Sequence, residues 1–116
     1  MSTGVAVHNV TVAVPSETWE GEAATMTCTF PNIARDEWRL KWYKGSSIQL
    51  YLYMQIPNEV IERSYNDLTD RCVGWLDGNV HTLYINSTTV ADEDTYTCSV
   101  SEEEDSKMLR VNGEYS

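Results

Sequence analysis

The chain has 116 residues and a formal net charge of −10, from eight basic and eighteen acidic side chains. That length holds one domain and not two, and 41% hydrophobic against 22% charged residues is too apolar for disorder. The acid excess disfavours nucleic acid and anionic lipid as partners, and no run approaches the roughly 18 apolar residues of a membrane helix.

Met1-Ser2-Thr3-Gly4 leads straight into strand-like sequence. If the parent protein is exported, its leader and any anchor are expected to have been removed. The first strand is predicted over Asn9 to Val14, with Val10, Val12 and Val14 on one face, and Pro15-Ser16 interrupts it as a chain crossing between sheet edges requires. After the turn Glu20-Gly21-Glu22, Ala24, Met26 and Cys28 repeat at a period of two. A loop from Pro31 to Glu37 precedes Leu40 and Trp42, again alternating, and Lys44-Gly45-Ser46-Ser47 turns the chain into Ile48 to Met54. Pro57-Asn58 separates that strand from a further one, Glu59 to Arg63. Cys72 to Trp75 and His81 to Ile85 flank an Asp77-Gly78 hairpin signal. Thr95 to Val100 and Lys107 to Val111 form the last pair, joined by the acidic run Glu102, Glu103, Glu104 and Asp105. The pattern predicts an all-β sandwich or barrel of about nine strands.

Three cysteines, Cys28, Cys72 and Cys98, are too few and too scattered for a zinc site. One disulfide and one remaining thiol is the simplest arithmetic. Around them stand Trp42, the apolar run Leu83-Tyr84-Ile85, and Asp92-Glu93-Asp94-Thr95-Tyr96-Thr97-Cys98. The order of these residues resembles the immunoglobulin superfamily, over nearly the whole chain. The resemblance implies a two-sheet sandwich, a Cys28–Cys98 bridge between the sheets, Trp42 from strand C packed on it, and Tyr96 as the tyrosine corner. It implies a single domain over 1–116, with its core about 8–112, and of the variable set, because the extra hairpin after Trp42 and an Arg71–Asp92 pair both fit that set. Such a bridge would stabilise the fold by roughly 4 kcal/mol and implies an oxidising, extracellular setting.

Asp94 stands where the family usually has Gly or Ala, and no Phe-Gly-any-Gly segment follows Cys98, so a rearranged antigen receptor is not expected. The stretch Asp94 to Glu104 and the segment after Tyr51 are similar to the membrane-distal domains of junctional adhesion molecules and the coxsackie–adenovirus receptor. Invertebrate variable-type receptors are similar to the same degree.

No enzyme, cofactor or metal site is expected. A hydrolytic triad needs a convergent base, and the chain offers only His8 near the terminus and His81 in a hairpin, read as a half-exposed strand residue. The better candidate is the outer face of the front (GFCC′) sheet. Leu40 and Trp42 inward turn Lys41 and Tyr43 outward. Simple alternation over Ile48 to Met54 turns Tyr51 and Tyr53 outward, and Leu109 and Val111 inward turn Met108 and Arg110 outward. Tyrosine, Met and Arg are enriched at interface centres, so these six residues are the expected protein-binding set, for a separate partner or a second copy. The acidic run is placed in the F–G loop, either steering a basic ligand or simply solvated. A second hypothesis has the loops, through Trp38 and the acidic run, bind a glycan. A third makes the domain a spacer. Cys72 reads as a buried thiol or an intermolecular bridge. Asn9-Val10-Thr11 and Asn86-Ser87-Thr88 are glycosylation sequons at Asn9 and Asn86.

Overall fold

In the computed structural model, residues 9–65 and 70–113 are described, and His8 lies outside them. The alternating segments form strands β1 (Thr11–Ala13), β2 (Thr18–Trp19), β3 (Ala24–Thr29), β4 (Trp38–Lys44), β5 (Ile48–Ile56) and β6 (Glu59–Ser64). They continue as β7 (Cys72–Asp77), β8 (Val80–Ile85), β9 (Asp94–Val100), β10 (Glu103–Leu109) and β11 (Val111–Asn112), with one 3₁₀ turn at Val90–Asp92. The nine expected strands are there, and β2 and β11 are two-residue additions. The back sheet has the order β1-β3-β8-β7 and the front sheet β10-β9-β4-β5-β6. The Pro15 interruption does what its chemistry requires. The chain leaves β1 on the back sheet, and β2 pairs in parallel with β11.

The core lies between the sheets. Ala24, Met26 and Cys28 point into it from β3, Leu83 and Ile85 from β8, Leu40 and Trp42 from β4, Tyr96 and Cys98 from β9, and all are fully buried. Cys28 and Cys98 are bonded across 70 positions of sequence, and Trp42 stands directly beside Cys98 in the ladder. The Tyr96 hydroxyl donates to the Asp92 carbonyl and closes the turn into β9. Arg71 donates two parallel hydrogen bonds of 2.9 Å to the Asp92 carboxylate, which also accepts the Thr89 N–H at 2.8 Å. Burial by itself would raise the pKa of Asp92. The bonds from Arg71 and Thr89 and the charges of Arg71 and Lys44 outweigh it, and the pKa is lowered. Asp94 is accommodated because its carboxylate accepts the Thr95 N–H at 2.7 Å.

Three expectations fail. The first concerns β5. Its pairing with β4 runs Trp42 to Tyr51 and then Tyr43 to Gln49, so Leu50 is an extra residue in a β-bulge. The bulge reverses the alternation, and Leu50 and Tyr51 both point inward. Tyr51 and Tyr53 are therefore core residues, 6% and 7% exposed, while Leu52 and Met54 take the outer face. The Tyr51 hydroxyl donates to Glu62 at 2.6 Å, and burial followed by that bond holds its pKa well above the ordinary tyrosine value.

Second, the acidic run is not a loop. Only Ser101 and Glu102 make the turn, and Glu103, Glu104 and Asp105 belong to β10. The backbone of β1 and its flank provide the reason. Asp105 accepts the Val12 N–H at 2.8 Å, and Glu103 accepts from Asn9. Third, His81 is fully buried rather than half-exposed, because it shares the inward phase of Leu83 and Ile85. Its Nδ1 accepts the Trp42 indole N–H at 3.0 Å. Tyr51 and Tyr53 pack on its ring, with centroids 5.2 and 6.0 Å away. Gly74 on β7 makes room for this group, since a Cβ there would lie 2.7 Å from the Tyr51 ring.

Candidate functional site

With β5 in its bulged phase, cross-strand register defines a different outer front face from the one expected. Residues directly opposite in a ladder share a face. One row runs Glu104, Ser99, Lys41, Leu52 and Arg63 across all five strands, about 19 Å from edge to edge. The row above holds Arg39, Met54 and Ile61, and the row below Ser106, Thr97, Tyr43 and Gln49. Met108 lies lower still beside Thr95 and is 45% exposed.

Of the six expected interface residues, Lys41, Tyr43 and Met108 stand on this face. Arg110 is exposed between β10 and β11, and Tyr51 and Tyr53 are excluded by burial. Leu52, Met54, Ile61, Arg39 and Arg63 belong to the face but were not anticipated. A bulge has no side-chain signature, and β6 offers no clear alternation to read.

The electrostatics of the face run against the molecule's balance. The side chains of Arg39, Lys41 and Arg63, like those of Arg35 and Arg110 elsewhere, have no hydrogen-bond or ion-pair partner among the described residues, whereas Arg71 is bound to Asp92, Lys107 to Asp105 at 2.9 Å, and Lys44 to the Ala91 carbonyl. Three uncommitted cations thus flank an aliphatic strip of Leu52, Met54 and Ile61, in a chain of net charge −10. Glu104 marks the opposite edge of the same face. An arrangement of this kind can dock an apolar surface that carries carboxylates.

The loop end is different. A cleft of about 410 Å³ lies between the segment from Phe30 to Arg35 and the turn at Ser101 and Glu102, floored by Val10, Phe30 and Val100. Trp38, expected as a loop ligand residue, belongs to β4 and packs between Phe30 and Tyr53, with ring centroids 5.5 and 5.3 Å away. Of the two sequons, Asn9 donates its side-chain amide to Glu103 at 3.1 Å, while Asn86 is exposed at the end of β8. Cys72 is a free thiol, buried, its pKa pushed up to about 12 by burial against a smaller opposing effect of Arg71. Among the described residues, no three His, Cys, Asp or Glu side chains are grouped to hold a metal ion.

No curated protein matches the chain. The family model described as immunoglobulin domain matches residues 9–112, which spans both sheets, the bridge and the outer front face. A protein-interaction or recognition role follows in general terms from that match and from the sandwich, and the chain belongs to the immunoglobulin domain family.

Proposed function

We propose that the chain is a variable-set domain of an extracellular adhesion or immune-recognition protein, and that it binds a protein through the outer face of its front sheet. The hairpin β5–β6 supports the variable set, as does the Arg71–Asp92 pair. The disulfide suits an oxidising compartment. The observation that carries the binding reading is the set of three cations, without side-chain partners among the described residues, on an aliphatic strip, on a sheet face that no other described element covers. Leu52, Met54 and Ile61 are half-buried there, with Arg39 and Arg63 exposed beside them.

The partner surface this face fits is acidic and partly apolar, and a second copy meets it only through Glu104, the carboxylate at the far edge of the same face. Two such faces packed about a two-fold along the strands would bring Glu104 over Arg63 of the other copy if the axis follows β4. An axis along β9 brings Glu104 over Lys41 instead. Sedimentation equilibrium over a concentration series tests this. A reversible dimer is expected, weakened about tenfold or more by Lys41→Glu with Arg63→Glu at unchanged Tm. Glu104→Lys mixed with that double variant should restore association. A strict monomer at every concentration would remove the second-copy reading. A heterologous partner whose Kd ignored the double reversal would remove the face.

A further inference from the structure

Two rows on the outer face of the back sheet carry no charge in a chain of net charge −10. Thr25, Tyr84 and Val73 share one row, and Thr27, Thr82 and Trp75 the next, without a charge among them. Val73 is 56% exposed and Trp75 46%. An open apolar strip on a secreted molecule is an adhesion liability unless something lies on it.

The strip leads to a sequon. Beyond the last residue of β8 the ladder continues one step, with the Asn86 N–H donating to the Arg71 carbonyl at 2.7 Å. Ile85 is fully buried and Asn86 exposed, so strand alternation sets Asn86 on the side of Tyr84, about 7 Å along the strand. At Ser87 the backbone enters the left-handed region, φ 53°, and the strand ends with the Asn86 side chain at its tip. The Asn86 amide nitrogen has no partner among the described residues, and its oxygen only a 3.5 Å contact from the Ser87 hydroxyl. Thr88 donates its hydroxyl to the Glu22 carbonyl at 2.8 Å and has a structural use of its own. The triplet alone is therefore not the argument; the aromatic and aliphatic bed beside it is.

We propose that Asn86 carries an N-linked glycan whose first sugars lie along Tyr84, Val73 and Trp75, so that the chain's own carbohydrate covers the neutral strip. In the transfer, the Asn86 side-chain nitrogen bonds to the anomeric carbon of a lipid diphosphate-linked oligosaccharide as the sugar–phosphate bond breaks. The amide gives up one proton, the lipid diphosphate departs, and nothing is oxidised or reduced. The acceptor is the extended chain, before Thr88 is buried. A pyranose ring offers a flat C–H face to an aromatic ring, and its hydroxyls meet those of Thr25 and Thr27 on the same side. None of this depends on the front face.

The full chain, secreted from a eukaryotic host, provides the test through intact mass and Tm, beside Asn86→Gln, Tyr84→Thr and both together. One glycan mass is expected to vanish with Asn86→Gln, and each single change should lower Tm by about 4 °C or more. The combined variant should melt no lower than Asn86→Gln, because Tyr84 acts through the sugar. Enzymatic trimming of the wild type to its first N-acetylglucosamine should keep most of the shift, and complete removal should abolish it, which serves even if Tyr84→Thr does not fold. An unmodified Asn86, additive shifts, or a Tm indifferent to complete removal each overturn the proposal.

Discussion

His81 is set apart from water by Trp42, Tyr51 and Tyr53, and burial moves its pKa from 6.5 down to about 4. As the pH falls through 6.5 the unfolded chain takes up a proton here, and the folded chain does not until about pH 4. Its stabilising contribution is therefore complete above 6.5 and declines by roughly 1.4 kcal/mol per pH unit below it. Protonation would also set an N–H of the imidazolium against the Trp42 N–H it now accepts. Urea unfolding at pH 7 and pH 5, of wild type and His81→Gln, should show the wild type's advantage shrinking by about 2 kcal/mol. A constant difference would mean that His81 does not titrate in this range. Its place inside was readable from the shared phase with Leu83 and Ile85; polar character argued wrongly for the surface.

At the scale of the strand, β5 decides which residues meet a partner. Its sequence Ile-Gln-Leu-Tyr-Leu-Tyr-Met-Gln has large apolar side chains in both phases, so either can face the core and alternation alone cannot choose. The bulge at Leu50 makes the choice. Tyr53→Ala is consequently expected to cost about 3 kcal/mol of stability, seen as a lower denaturant midpoint, while partner affinity of the folded protein stays near wild type. The opposite result, lost binding at an unchanged midpoint, would restore the simple alternation. In β10 the obstacle was composition. Acidic residues are poor strand formers, and nothing local shows that Val12 and Asn9, far away in sequence, supply the donors that hold Asp105 and Glu103. Cys28, Cys98, Tyr96 and the Arg71–Asp92 pair were legible because a covalent bond or a short hydrogen bond ties each to another of the set, and Trp42 because it packs beside the bridge.

Across the whole molecule the two sheets turn unlike faces outward, one with free cations on aliphatic side chains and one neutral, with hydroxyls and an exposed indole. The seam between them encloses a thiol that neither face uses. Cys72 opens β7, a back-sheet edge strand, where it stands opposite Ile85. A thiol reagent should modify one site per chain, slowly in buffer and rapidly in urea, and a non-reducing gel should show only monomer. Three modified sites, or a linked dimer, would contradict the pairing described.

That sheltered sulfur doubles as a clock. It becomes available only when the strand edge lifts from the body, so in a large excess of a fast reagent the labelling rate counts how often the edge comes loose. Compared with the rate of complete unfolding, it says whether the sandwich frays at this margin first or opens all at once.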